Sequence, residues 1–357
     1  VKTGLGRRSR RRKPAARINR HIFRTNPAKD NKRSGSLKFT KDSLKIDAEK
    51  VIDQLCQTIR TQLRKDLKKS GAIVGISGGI DSSVCAALCA RALGPDRVVG
   101  IMMPERDSSP DSERLARELA ETYGFKTVKE DLSDGLAGLK CYEKRDEAIK
   151  SVFPEFSSAY TNKIVIPSNI LEKDVINFFQ LVIQKPGEEP KTRRMPLEAY
   201  LQIVAASNLK QRLRMTTLYF HAEKRNWAVV GTGNKDEHMQ GFFVKYGDGG
   251  ADLKPIAHLF KVQVFQLAAA LGVPQSIQER TPTTDTYTAE VTQEEFFFGL
   301  DFLTMDLLWY AMEHNVPAAE AAEVIGLSVD QVEKGYANIK RKIVGTEYLR
   351  LAPLEAV

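Results

Sequence analysis

Cysteine, histidine and long apolar runs are all scarce in this chain of 357 residues, and each scarcity excludes a class of protein. Four cysteines, Cys56, Cys85, Cys89 and Cys141, form no C-x-x-C pair and accompany only five histidines, so neither a zinc cluster nor a disulfide framework is indicated. Cys85 and Cys89 lie one helical turn apart and read as small packing residues in a reducing, cytoplasmic setting rather than as a redox pair. No apolar run approaches the length of a transmembrane helix, and a hydrophobic content of 42% excludes a mostly disordered chain. The length implies one large α/β unit with appendages, or two domains, with a sizeable buried core.

The net charge of +9 is unevenly placed. Residues 1–36 hold thirteen Lys/Arg against one acidic residue, Asp30, leaving 41 basic against 44 acidic residues in the remainder. Affinity for nucleic acid through basicity is therefore expected only of this tail, and only non-specifically. The tail opens with Arg7-Arg8-Ser9-Arg10-Arg11-Arg12-Lys13 and has no periodic apolar residues to offset chain entropy, which predicts disorder. It lacks the apolar core of a secretory signal, although an Arg-rich, acid-poor stretch also matches an organellar transit peptide, or translation from an upstream start.

From Leu44 onward Ile46, Val51, Ile52, Leu55, Ile59, Leu63 and Leu67 recur at helical spacing. A strand at 72–76, a helix around 84–93, a strand at 97–103, a helix at 112–123 and a strand at 125–128 follow. This alternation predicts a doubly wound, mostly parallel sheet with helices on both faces. Residues 135–198, with scattered prolines and no clean periodicity, read as an insertion over the sheet edge. The core resumes with a helix at 197–224, a strand at 227–230, a glycine-rich loop at 246–252 and a helix at 262–271. The expected organisation is a tail (1–36), a core domain (37–290) and a helical C-terminal extension packing on the core (291–357).

The strongest local signal is Gly75-Ile76-Ser77-Gly78-Gly79-Ile80-Asp81-Ser82-Ser83, where a buried strand gives way to a helix. Glycines permit close backbone approach, the helix start presents unpaired N–H groups, and Ser77, Ser82 and Ser83 add hydroxyls, a combination suited to phosphate. It is no Walker A loop, because no Gly-Lys-Ser/Thr follows. Asp81 would repel phosphate in such a cradle, so it makes sense chiefly as a ligand to a Mg²⁺ that bridges it to the phosphates. An ordinary strand-to-helix turn would not need two glycines, three serines and an aspartate together.

This signature resembles that of the ATP pyrophosphatases, and the downstream text resembles the NAD synthetase family within them. The matching segments are Asn208–Met215 (NLKQRLRM), Gly231–Glu237 (GTGNKDE) and Gly241–Asp252 (GFFVKYGDGGAD) with Leu253–Ile256, continuing through Lys261, Leu271–Pro274 and Pro282–Asp285. The resemblance implies ATP-dependent amidation of deamido-NAD to NAD through an acyl-adenylate, with ammonia as nitrogen donor and AMP and pyrophosphate as products. It implies Asp81 and Glu237 as Mg²⁺ ligands and, with Lys261, as the catalytic set. Ser77, Gly78, Gly79, Asp81, Ser82, Ser83, Thr232, Lys261 and Thr283 would contact ATP, and Arg212, Lys245 and Asp252 the dinucleotide. Lys261 at a helix start is disfavoured by the macrodipole unless an anion lies there too, which agrees with a phosphate contact.

The resemblance further implies a homodimer. The glutaminase domain that supplies ammonia in some relatives would need a domain-sized N-terminal extension, and about 44 residues precede the first core helix, so ammonia is expected from solution or a separate glutaminase partner. Three departures from the family pattern stand out: Tyr348 and Leu349 occupy the places of a His-Lys pair, Thr286–Glu290 lacks the usual leucine, and the insertion is long. Residues 318–342 mimic a helix-turn-helix, but Asp330 and Glu333 lie at the end that would approach DNA, which favours a packing pair. The rival readings are another amide ligase of the same superfamily acting on a different carboxylate or nucleotide, and a nucleic-acid-binding protein with a vestigial ATP site.

Overall fold

In a computed structural model of the chain, residues 38–166, 171, 179–283, 287–289 and 291–355 are described; the basic tail, Asp285 and Glu290 lie outside them. Helix α1 (Ala48–Thr61) turns Ile52, Leu55, Cys56 and Ile59 inward, and a π-helical turn at Gln62–Asp66 carries the same face on to the buried Leu63. The predicted alternation follows: β1 (Ala72–Gly75), α2 (Ile80–Leu93), β2 (Val98–Met102), α3 (Pro110–Tyr123) and β3 (Lys126–Lys129). Helix α2 starts four residues before its predicted start, because Gly79 serves as its N-cap and the Ser82 and Ser83 hydroxyls bond the Gly79 carbonyl instead of extending the loop.

Within 135–198, which shows no clean periodicity in sequence, the described residues form helices and a small sheet. After α4 (Ser133–Gly138), α5 (Cys141–Val152) buries Cys141, Tyr142, Arg145, Ala148, Ile149 and Val152. That is a helical stripe, hidden from a hydrophobicity reading because Arg145 sits in the middle of it, paired with Asp107. Strands β4 (Thr161–Val165), β5 (Gln180–Gln184) and β6 (Lys191–Arg194) form an antiparallel sheet whose inward residues Ile164, Leu181 and Ile183 pack on Phe153, Phe156 and Ile203. Every residue of β6 is exposed and three of its four are Lys or Arg, a composition that discourages further strand pairing at this edge.

Helix α6 (Leu197–Arg225) leads to β7 (Ala228–Val230), then α7 (Lys235–Gln240), α8 (Lys261–Leu271) and α9 (Gln275–Gln278). The main sheet has the order β3-β2-β1-β7, all parallel. Alternation along the strands serves two cores. Ala72, Val74, Val98, Ala228 and Val230 face α1, α2 and α8, whereas Ile73, Val99, Ile101 and Val229 face Met215, Leu218 and Ala222 of α6. Helices α10 (Phe302–Glu313), α11 (Ala318–Ile325) and α12 (Val329–Gly345), followed by the short α13 (Glu347–Arg350), bring Leu308, Trp309, Val332 and Ile339 against Phe260 and Leu44. A Cβ on Gly335 would sit 2.9 Å from Leu308 Cδ1, so α12 lies tightly on α10, while Asp330 and Glu333 face solvent. The helix-turn-helix mimic is a packing pair.

Candidate active site

The chain leaves β1 toward β2 on one side and returns to β7 on the other, so the carboxyl ends of β1 and β7 bound the switch point where open α/β sheets bind ligands. The loop after β1 is shaped by Gly78, whose φ of +71° is left-handed and where a Cβ would lie 2.9 Å from the Ser112 carbonyl and from Leu115 Cβ. Ser77 donates its amide to Ser82 Oγ (3.3 Å), and Ser82 and Ser83 donate to the Gly79 carbonyl at 2.9 Å each. Ser77, Gly79, Asp81 and Ser82 consequently face a cavity of about 850 Å³, whereas Gly78 and the fully buried Ser83 pack behind it.

The facing loop begins after β7 with Thr232 and Gly233. Asn234 caps α7: its Oδ1 accepts from the Glu237 N–H at 3.1 Å, and its own N–H donates to Glu237 Oε2 at 3.1 Å. Its Nδ2 also donates to Asp81 Oδ1 at 2.9 Å, so one buried side chain ties the first turns of the two carboxylate-bearing helices together. Lys261 Nζ donates to Asp81 Oδ2 at 2.5 Å. Burial and the neighbouring charge of Asp81 push the Glu237 carboxyl up to about 8, against the pull of Lys261. Burial disfavours the Lys261 charge, but Asp81 and Glu237 outweigh it and hold the ammonium above its ordinary range.

Lys261 is fully buried behind Asp81 and is not part of the cavity wall. The anion required at this helix start is protein: besides Asp81 on Nζ, Asp236 Oδ2 accepts the Lys261 N–H (2.8 Å) and Asp306 Oδ2 the Val262 N–H (3.0 Å). Both carboxyls are buried, and burial raises them, Asp236 to about 6.

Of the remaining expected residues, Thr232, Thr283, Arg212 and Lys245 line the cavity. Arg212 Nε donates to the Lys245 carbonyl (3.3 Å), and Lys245 Nζ to the Tyr348 and Leu351 carbonyls at 3.0 Å each. Asp252 is placed elsewhere. Its Oδ1 accepts from the Tyr219 hydroxyl (3.0 Å) and its Oδ2 from the Val229 N–H (2.8 Å), so it stitches β7 to α6 outside the cavity wall.

Asn234, Arg280 and Gln293 are among the cavity or bridging residues that escaped the sequence reading. Asn234 was detectable through its N-x-x-E capping spacing before Glu237. Arg280, which lines the cavity and reaches the Ser77 carbonyl (3.3 Å) and Ser112 Oγ (3.1 Å), lies just before the Pro282-Thr283 match but has no signal of its own. Gln293, whose Nε2 donates to Glu237 Oε1 at 3.2 Å, had none either. Among the described residues no three His, Cys, Asp or Glu side chains converge as a metal cage. Two neighbouring carboxylates at a phosphate-type loop are nonetheless the donor set that suits Mg²⁺, which takes one or two carboxylates and completes its shell with substrate phosphates and water.

The model of the NAD synthase family matches residues 51–156 and 162–353. A protein of Rhizobium meliloti named NH(3)-dependent NAD(+) synthetase is 47% identical over 317 residues, covering 89% of this chain and 94% of that protein. The protein of the same name from Rhizobium rhizogenes is 46% identical over 316 residues, covering 88% of this chain and 95% of its own length. In fold, the chain is similar to the NH3-dependent NAD synthetase from Campylobacter jejuni in complex with the nitrate ion, with a TM-score of 0.55 at 20% identity over 87% of this chain and 100% of that one. With a phosphate-type loop after β1, its carboxylate partner after β7 and matching sequence along most of its length, the chain belongs to the NAD synthase family.

Proposed function

We propose that this chain makes NAD by amidating deamido-NAD at the expense of ATP, with ammonia as the nitrogen donor. The observation that carries the reading is the Asn234 bridge, which holds Asp81 and Glu237 together at the mouth of a phosphate-type loop, with Lys261 behind them. A carboxylate is a poor electrophile. Its attack on the α-phosphorus of ATP breaks the bond to the β-phosphate oxygen, releases pyrophosphate and leaves an acyl-adenylate. Ammonia then adds to the acyl carbon, AMP departs with the bonding electrons and the nitrogen loses a proton to give the amide. The protein needs no nucleophile of its own, only positioning and charge neutralisation.

The α2 N-terminus with Ser77 and Ser82 binds the triphosphate, and Arg280 beside this loop adds positive charge to it. Mg²⁺, held by Asp81 and Glu237, would supply the charge that brings the triphosphate against two carboxylates. Lys261 balances those carboxylates from behind, while Thr232 and Thr283 offer hydroxyls along the nucleotide path. Arg212 and Lys245 serve the dinucleotide. Asp252, outside the cavity wall, holds β7 to α6 and is left out of this binding set. A homodimer, with ammonia taken from solution or a separate glutaminase, follows from the family resemblance. A cytoplasmic setting is supported by four cysteines that are all free and buried, and among the described residues no helix is long and apolar enough to cross a membrane.

Incubation with ATP, Mg²⁺, ammonium and deamido-NAD tests the proposal. NAD should appear with equimolar AMP and pyrophosphate, and ADP with orthophosphate would overturn the mechanism.

A further inference from the structure

Four charged side chains that the chemistry above leaves unused are buried together behind one wall of the cavity. Glu105 and Asp107 come from the loop between β2 and α3, Arg145 from α5 of the insertion and Lys210 from α6. Each of these side chains is at most 3% exposed. Lys210 Nζ donates to Glu105 Oε1 at 3.0 Å and to Asp107 Oδ2 at 2.7 Å, and the Arg145 guanidinium donates to the same Asp107 oxygen at 2.5 Å. The Tyr142 hydroxyl, also on α5, donates to Glu105 Oε2 at 2.9 Å, and that oxygen accepts the Asp107 N–H at 3.1 Å. Arg106, between the two acids, lies over the Tyr142 ring, 3.8 Å from its centroid. Three consecutive loop residues are thus held by α5 and α6.

Two acids and two bases in the interior are a poor way to gain stability, because desolvating the ions offsets most of what their pairing returns. Apolar side chains of similar volume would join α5 to α6 as well. What the charges add is direction, since hydrogen-bonded ion pairs fix orientation where apolar contacts slide. The object being oriented is a wall of the cavity. Pro104, Glu105, Ser108 and Ser109 line it, and because the Glu105 carboxylate is buried, that residue presents backbone there. The loop then enters α3, whose Ser112 meets the phosphate-type loop directly. A Cβ on Gly78 would lie 2.9 Å from the Ser112 carbonyl, and Arg280 bonds both Ser112 Oγ (3.1 Å) and the Ser77 carbonyl (3.3 Å). A shift of the β2–α3 loop would therefore be felt where the triphosphate binds.

We propose that Arg145 and Lys210 are positioning residues for ATP: through Asp107 and Glu105 they set the β2–α3 loop against the phosphate-type loop. By this route α5 of the insertion, none of whose residues belongs to the cavity wall, shapes nucleotide binding. The inference rests on the use of ATP proposed above. The four charges touch no reacting atom, so their loss belongs in the KM for ATP rather than in kcat.

The test uses the full chain with Arg145→Met, and with Tyr142→Phe as a milder change that removes only a hydroxyl. Arg145→Met should raise the KM for ATP and weaken direct binding of ATP with Mg²⁺ roughly tenfold, and Tyr142→Phe roughly threefold, with kcat and the KM for deamido-NAD nearly unchanged. The Asp107 and Ser108 amides should exchange hydrogen faster in both, since their acceptors, Glu105 Oε2 and the Glu105 carbonyl, are less firmly held. The double variant Arg145→Met, Asp107→Asn separates direction from charge balance. It leaves Glu105 paired with Lys210, so stability in urea should recover from the single variant while the KM for ATP stays raised. Recovery of that KM together with stability would reduce the four charges to a structural role and overturn the proposal. A lower kcat at unchanged KM for ATP, or unchanged ATP binding in the single variants, would overturn it too. If Arg145→Met does not fold, Tyr142→Phe and the double variant carry the same readouts. Failure of the wild-type protein to form NAD would overturn the functional reading, and direct ATP binding would still judge the positioning role.

Discussion

Replacing Glu237 by Gln should make the ligand-free protein more stable and less active, and the size of the first effect can be worked from the site. Burial and Asp81 raise this carboxyl from the ordinary 4.5 to about 8. Between these two values the unfolded chain has released the proton while the folded protein keeps it, so stability falls as pH rises through the window. The full slope is ~1.4 kcal/mol per pH unit, or about 5 kcal/mol across the interval. Because the carboxyl retains contact with the cavity, solvent screens it, and about half that total is a fairer expectation. The new amide is accommodated: the Gln293 carbonyl oxygen is buried without a partner, and rotating that side-chain amide allows it to accept the introduced N–H. Urea unfolding of both proteins at half-unit steps from pH 5 to 9, free of metal and nucleotide, should show the wild type losing stability up to about pH 8 and then levelling, while the variant lacks that component. Parallel profiles would refute the like-charge reading of Asp81 and Glu237.

Asp81→Asn should lower turnover by roughly a hundredfold or more, measured as NAD formation at saturating ATP, since it withdraws charge from the proposed metal site rather than apolar packing. Lys261→Met should cost about 2–3 kcal/mol in urea unfolding, because it leaves the partly buried Asp81 at the cavity edge without its cation, and a change below about 1 kcal/mol would contradict the pairing. Removing residues 1–36 should leave steady-state constants nearly unchanged but abolish salt-sensitive retention on heparin, as expected of thirteen cations on a segment with no apolar stripe. Loss of NAD synthesis in a truncated protein that still folds would show the tail to be part of the working enzyme.

Much of the catalytic core was legible because it depends on local rules. The alternation of strands and helices, the glycine turn at Ser77–Gly79 and the capping spacing around Glu237 are each written within about ten residues. The insertion was not legible. Its α5 stripe is interrupted by Arg145, which becomes buried only because Asp107, thirty-eight positions earlier, comes to meet it. The same separation hid the role of Asp252. Its position in a matched loop says nothing about direction, and the fold turns the carboxylate toward the Val229 N–H and Tyr219 instead of the cavity.

Lys261 shows how the two levels divide. From sequence, a cation at a helix start demands an anion, and that demand is correct. Which anion answers is a matter of packing: Asp81 from α2, Asp236 from α7 and Asp306 from α10 converge on the first turn of α8. The chain's own sequence determined the chemistry available to it, a phosphate-type turn, an acidic residue in the first turn of each of two helices and a cation at the start of a third, because propensity, glycine freedom and capping act over a few residues. Only the tertiary structure decided that Asn234 would bridge the acids, that Gln293 would reach Glu237 and that rings from α6, the insertion and the π-helical turn Glu294–Phe298 would share one wall. Those contacts join residues from about twenty to more than one hundred and fifty positions apart, and contacts between separate elements are set by how helices and sheets cover one another's apolar faces.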